Sequence, residues 1–361
     1  MQKTARATAC ALLLGSLTLV ACGSDNPSAP NSLAGSGGVA NGGSPSDLAG
    51  SSDGGSEAGT IGSNGGSDEE AGAYGAATAV GGAAGNTAGT GGGSDASAGS
   101  SGKAPADPSA GCNKANPATG TSGDPLMVSG HQYYVKLPTN YDANTPYAVM
   151  MMFNPTGNPI SWAEDNAGFE TTGPREAWIR VYPTMADNAV GWGADDVAFF
   201  EPFYQRIIAS YCVDKARVFA GGESSGGDFV SILGCEYGDK IRATAPCSTK
   251  PVAGYALDVP TTRQCKGHVT AVVIQGKNDN VVGPANGPKT RDFYAALNQC
   301  SMTTLPVPGY TDTLSNCVMY QDCDDGYPVY WCNHTDPNYS NTNHGWPAFA
   351  PKFLWGLFST Y

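Results

Sequence analysis

The chain has 361 residues, with 19 Lys and Arg against 32 Asp and Glu and a formal net charge of −13. It carries no basic run, which excludes nucleic acid as a partner. About half of its 49 glycines precede residue 111, so only the later residues can build a large core.

In chain order, Lys3 and Arg6 precede an apolar run from Ala7 to Val20 that ends in "LVACGS". A charged start, a short apolar stretch and small residues make residues 1–21 a secretory signal, too short to span a bilayer. "LVAC" resembles a bacterial lipobox. That resemblance implies that Cys22 becomes the lipidated first residue, and Gly23–Ser24, without Asp, implies the outer membrane or cell surface of a Gram-negative cell. Residues 22–110 are Gly, Ser and Ala with scattered polar residues. They bury too little to offset the entropy of ordering, and are expected to form a disordered tether spanning about 50 Å.

Residues 111–361 suit one domain. "HQYYVKLP" (131–138) alternates like a strand of an antiparallel edge hairpin. "YAVMMMF" (147–153), "WIRVYP" (178–183), "ARVFAG" (216–221), "IRATAPC" (241–247) and "TAVVIQG" (270–276) are mostly continuous apolar runs. Such runs suit parallel strands buried on both faces. Between them, residues 195–212 place Val197, Phe200, Phe203, Ile207 and Ile208 on one helical stripe, with Asp195 or Asp196 as its N-cap. "PAFAPKFLWGLFSTY" closes the chain as a helix. The alternation predicts an α/β fold with a three-layer, mostly parallel sheet. Residues 306–343, rich in Cys, Asp, Tyr and Asn, read as an irregular excursion stapled by disulfides.

Of eleven cysteines, Cys10 lies in the signal and Cys22 at the lipobox, which leaves nine in the domain. An exported chain should pair them, and an odd number leaves one over. No CxxC or HExxH occurs among these residues and only four histidines are present, so neither a metal nor another cofactor is expected.

Chemistry centres on "FAGGESSGGDF" (219–229), two serines between a strand pattern and a helix pattern. "GESSG" fits G-x-S-x-G with Ser224 central, the signature of a nucleophile elbow. Centring on Ser225 fails because Glu223 stands where Gly is needed. Ser225 would then lend its backbone N–H to an oxyanion hole. A serine needs a base, and the base an orienting carboxylate, in the order Ser, acid, His. Asp279 follows the strand "TAVVIQG", in "GKNDN"; a plain turn aspartate is the alternative. His131 and His268 precede it, so the base is His334 or His344. His344, in the loop ahead of the closing helix, is favoured; His334 reads as a surface or disulfide-loop residue.

The domain resembles the esterase family of secreted feruloyl esterases and polyhydroxybutyrate depolymerases, related to carbohydrate esterase family 1. The likeness rests on "GC" (111–112), "LPTNYDANTPYAVM", "GW" before "DDVAFF", "YCVDKARVFAGGESSGG", "GKNDNVV", "CDDGYPVYW" and "HGWP". It implies an α/β-hydrolase, with Ser224, Asp279 and His344 as nucleophile, acid and base. It places the second oxyanion donor on Thr156, although "FNPTGN" stands where the family has His-Gly. It sets Trp192 and Asp196 near the substrate cleft; Trp192 reads equally as a core aromatic. The resemblance also suggests Cys300–Cys323, with Cys317–Cys332 pairing nearby in the same crowded segment. For Cys112, Cys212, Cys235, Cys247 and Cys265 it gives no connectivity.

The expected protein is therefore a monomeric, surface-tethered serine esterase acting on feruloyl or acetyl esters of plant cell-wall polysaccharide. The rivals are a polyester depolymerase with the same catalytic residues, and a non-catalytic binding protein on an esterase scaffold.

Overall fold

Apolar runs become strands covered on both faces in the computed structural model, which describes residues 105–171, 173–251, 265–324, 326–337 and 342–361. All of these belong to the unit Ala71–Tyr361. The expected signal, Cys22 and nearly all of the tether lie outside the described residues. The described residues ahead of 111 make ordered contacts. Asp107 N–H donates to Asp214 Oδ1, and Ser109 exchanges hydrogen bonds with Tyr211 and Val213. Asp107 and Ser109 are thus joined by hydrogen bonds to the residues that open β5.

A short hairpin, β1 (Leu126–Val128) and β2 (His131–Lys136), opens the fold. β3 (Tyr147–Phe153), α1 (Trp162–Asn166), α2 (Pro174–Ala177) and β4 (Trp178–Pro183) come after it. Next are α3 (Ala194–Ser210), β5 (Val213–Glu223), α4 (Ser225–Glu236), β6 (Ala243–Cys247) and β7 (Thr270–Gly276). The chain ends with α5 (Asn286–Leu297), β8 (Ser301–Pro306), β9 (Ser315–Gln321), β10 (Val329–His334) and α6 (Ala350–Phe358). The sheet has ten strands in the order β1-β2-β4-β3-β5-β6-β7-β10-β9-β8. From β4 to β10 every neighbouring pair is parallel, and antiparallel pairs close both edges.

Alternating side chains of β3 feed two cores. Val149, Met151 and Phe153 join Phe200, Phe203, Phe229 and Tyr294 of α3, α4 and α5. Ala148, Met150 and Met152 face Trp178, Phe219 and the α6 residues Phe353, Leu354 and Phe358. This is the period-2 partition of a sheet buried on both sides.

Two expectations are corrected. Residues 306–343 are no mere excursion, because β9 and β10 extend the sheet there, with β10 parallel to β7. Asp196 is not the N-cap of α3; Gly193 is, and the Asp196 carboxylate accepts its N–H from the third helical position. The same carboxylate meets the His131 ring.

Four disulfides join Cys112–Cys212, Cys235–Cys265, Cys300–Cys323 and Cys317–Cys332. Cys247 is a buried free thiol.

Candidate active site

The site begins where β5 stops. Its last residue is Glu223, and α4 starts at Ser225, so Ser224 alone makes the turn. Its φ of 55° and ψ of −123° are strained for a residue with a Cβ, a conformation that persists only when the surroundings impose it. They do so through hydrogen bonds. Ser224 N–H donates to Cys247 O at 3.0 Å, and Asp228 N–H to Ser224 O at 2.9 Å. The flanking glycines answer to packing. A Cβ on Gly222 would strike the Gly226 carbonyl, and one on Gly226 the Phe153 carbonyl at the end of β3. The turn is closed so tightly that no side chain fits at Gly222 or Gly226, two residues to either side of the serine.

Asp279 lies in the loop after β7 and is fully buried. It accepts four hydrogen bonds: from His344 Nδ1–H (3.0 Å), Gln275 Nε2–H (2.8 Å) and the N–H groups of Val281 (3.0 Å) and Val282 (3.1 Å). Burial pushes its pKa up, but the His344 hydrogen bond and charge and the two backbone donors outweigh that and hold it below the usual carboxylate range. It therefore stays ionised beside the imidazole.

His344 is buried in the loop before α6. Burial pushes its pKa down, but the Asp279 hydrogen bond and the charges of Glu223, Asp279 and Asp228 prevail and raise it. Its loop is pinned from β6. The Cys247 thiol donates to Gly345 O (3.3 Å), while Gly345 N–H donates to Ser248 Oγ (3.3 Å). Because the Cys247 carbonyl also holds Ser224 N–H, one dipeptide links the elbow to the histidine loop. Gly276, ending β7, lets the Asn343 backbone pass at a distance no Cβ would allow.

A third carboxylate completes the group. Glu223 is 2 % exposed, and its Oε1 lies 3.2 Å from His344 Nε2. Burial pushes its pKa up; His344 pulls it down, Asp279 and Asp228 push it up again, and the result is about 7. Asp228, on the first turn of α4, is likewise pushed up by burial to about 7, against the pull of the Lys250 N–H and charge. Sequence reasoning used Glu223 only to choose between the serines. A charged residue directly after the apolar run of a central strand was the available signal.

Thr156 faces the elbow from the loop after β3. Its N–H donates to Ser225 Oγ at 2.9 Å and its own hydroxyl donates to the same oxygen at 2.7 Å. Asn154 stands behind it, fully buried, with its carbonyl accepting the Trp192 indole N–H at 2.8 Å. Trp192 is 3 % exposed, stacked on Phe229 and edge-on to Phe153. It is thus a core aromatic bracing the 154–157 loop rather than a cleft wall, because its neighbours on α4 and β3 cover the ring. His334 is corrected as well. It is no surface residue but fully buried at the end of β10, and burial lowers its pKa to about 4.

The structure thus brings Asp279, His344 and Glu223 together, and sets Thr156 against Ser225 beside the strained Ser224. This combination, on the carboxyl edge of a parallel sheet covered by helices on both faces and in the chain order Ser, Asp, His, is that of an α/β-hydrolase.

No family model matches the chain. Feruloyl esterase D of Neurospora crassa is 29% identical over 270 residues, covering 68% of this chain and 91% of that one. Feruloyl esterase B of Piromyces equi is 25% identical over 224 residues, 55% of this chain and 40% of the relative. The bifunctional acetylxylan esterase/xylanase XynS20E of Neocallimastix patriciarum is 25% identical over 157 residues, 43% of this chain and 22% of the relative. Among solved structures, an acetyl xylan esterase from Aspergillus awamori overlaps 64% of this chain and 95% of its own, with a TM-score of 0.48 at 12% identity. The chain carries an α/β-hydrolase domain similar to feruloyl esterases.

Proposed function

We propose that this protein is a serine esterase that cleaves feruloyl or acetyl esters on plant cell-wall polysaccharide. The observations that carry the chemistry are the buried His344–Asp279 pair and Ser224, held at a strained strand-to-helix turn next in the chain to Glu223, which meets His344. Ser224 Oγ attacks the ester carbonyl while His344 Nε2 takes its proton; Asp279 fixes the tautomer through Nδ1 and stabilises the imidazolium. The N–H groups of Thr156 and Ser225 receive the oxyanion. In the resting site Ser225 Oγ holds the Thr156 N–H, so the incoming carbonyl oxygen takes that place as Ser225 turns away. His344 then protonates the leaving alcohol, and water, activated by the same nitrogen, resolves the acyl-enzyme. The acyl class is supported by the similarity to proteins named feruloyl esterase and acetylxylan esterase.

In this reading a lipid on Cys22 anchors the protein in the cell envelope and the Gly/Ser/Ala tract lets the domain reach an insoluble polymer. A fluorophosphonate probe should label the purified protein once, on the peptide that contains Ser224, and abolish hydrolysis of methyl ferulate. Full labelling of Ser224→Ala, or an unlabelled but active enzyme, refutes the assignment.

A further inference from the structure

Resting on that reading, we propose that Glu223 is a positioning residue for the base. Its carboxylate faces the nitrogen of His344 that exchanges a proton with Ser224, and thereby sets the pH at which the enzyme switches on. The geometry is specific. Asp279 engages Nδ1 at 3.0 Å, and Glu223 lies 3.2 Å from Nε2, so the imidazole sits between two buried carboxylates from different strand ends. Glu223 cannot drift away. It ends β5, paired with Cys247 of β6, one residue before the elbow.

Several groups face the pair. From the loop after β7 comes Asp279, from α4 Asp228, and from β6 the buried thiol of Cys247. Lys250 acts on Asp228, through its N–H and its charge. The charged surroundings of His344 are therefore acidic, and an imidazolium there is favoured over neutral imidazole. A protonated Nε2 cannot accept the serine proton. As pH rises, that proton leaves to solvent and the lone pair becomes available. During attack, Oγ bonds to the carbonyl carbon as its proton passes to Nε2. The imidazolium so formed again faces the Glu223 carboxylate, until the Nε2 proton passes to the leaving alcohol. Where its own carboxyl is ionised, Glu223 thus raises the pH threshold and stabilises the cation formed in the transition state, two effects of one charge.

The test is the pH profile of kcat/KM on methyl ferulate, whose acid limb reports the base in the free enzyme. Glu223→Gln should move the midpoint of that limb down by about one pH unit. It should also lower the plateau about threefold through kcat, with KM unchanged, as a weaker base would. Glu223→Asp, which keeps the charge, should leave the midpoint near that of the unmodified enzyme. A purely structural role would reduce the plateau and the melting temperature but leave the midpoint in place. If Glu223→Gln fails to fold, Glu223→Met, of similar length and without a polar group to bury, provides the same comparison. An unmoved midpoint in the folded charge-free variant overturns the proposal. Ser224→Ala separates the two levels: if it is inactive while the Glu223 variants leave the midpoint unmoved, only the positioning role fails. If it is fully active, the serine-esterase reading falls, and this inference with it.

Discussion

Ser224 and Ser225 are adjacent yet differ in what they can do. Ser224 carries the strained backbone, whereas the Ser225 hydroxyl accepts from both donors of Thr156. Ser224→Ala and His344→Ala should each lower kcat/KM on methyl ferulate by several orders of magnitude, because a catalytic triad acts as a unit. Ser225→Ala keeps its backbone N–H and frees that of Thr156, so activity should stay within about tenfold of the starting enzyme. A dead Ser225→Ala beside a live Ser224→Ala would reverse the assignment of the turn. Glu223 has a second consequence, for stability. Its folded pKa of about 7 lies above its ordinary 4.5. Between those values the folded state binds more protons than the unfolded one, so this residue's contribution to stability declines as pH rises. Glu223→Gln should therefore stabilise the fold at pH 8, by up to about 3 kcal/mol, seen as a higher melting temperature, with the advantage gone below pH 4.5. Equal melting shifts at both pH values would contradict this. The strand-to-helix turn at Ser224 was legible in the sequence because glycine spacing is a local signal. The role of Glu223 was not, since it depends on a histidine from a distant loop.

At the scale of elements, legibility tracked burial. β3 and β7 are covered on both faces, so they appear as unbroken apolar runs with the expected ends. β9, "SNCVMYQ", exposes or half-exposes most of its residues at the antiparallel edge, and its polar letters resemble a loop. Composition therefore concealed two strands, and with them the reason His334 is buried. The cysteines there have a clear mechanical role. Cys317 and Cys332 are register partners on β9 and β10, and Cys300–Cys323 closes the β8–β9 arm. Edge strands of this kind have few apolar contacts, so the crosslinks should carry much of the arm's stability. Replacing Cys300 and Cys323 together by Ser should destabilise the domain by about 3 kcal/mol in the chain-entropy view. Hydrogen exchange should rise first in Ser301–Gln321. A melting temperature unchanged by the double substitution would show that packing alone holds the arm. The clamp from Cys247 and Ser248 onto Gly345 was also illegible in the sequence, because a lone cysteine gives no sign of what its thiol meets.

For the molecule as a whole, the proposed anchor at Cys22 and the proposed ester site lie far apart in the chain. Cys22 and the tract after it lie outside the described residues, and their role is tested directly: fatty-acid labelling should disappear in Cys22→Ala. Retained labelling would place the anchor elsewhere. Specificity belongs to the carboxyl edge of the sheet, where loops following successive parallel strands meet. With Trp192 buried, apolar surface for a phenolic acyl group must come from other side chains. Val190 is 78% exposed and Val281 58%. Val190 precedes Gly191, where a Cβ would strike the Thr156 hydroxyl, and the Val281 N–H donates to Asp279. Both are thus tied to loops of the site, from β4 on one side and β7 on the other. A feruloyl ring covering such side chains removes apolar area from water at roughly 25 cal/mol per Å², whereas an acetyl group covers almost none. Val190→Ser together with Val281→Ser should therefore raise KM for methyl ferulate by about three- to tenfold and leave acetyl ester hydrolysis unchanged. The unmodified enzyme should release ferulate or acetate from arabinoxylan faster than it clears a polyhydroxybutyrate suspension. The opposite ranking, with the Val190→Ser/Val281→Ser double variant still cleaving methyl ferulate normally, would assign the exposed valines to a polyester surface instead.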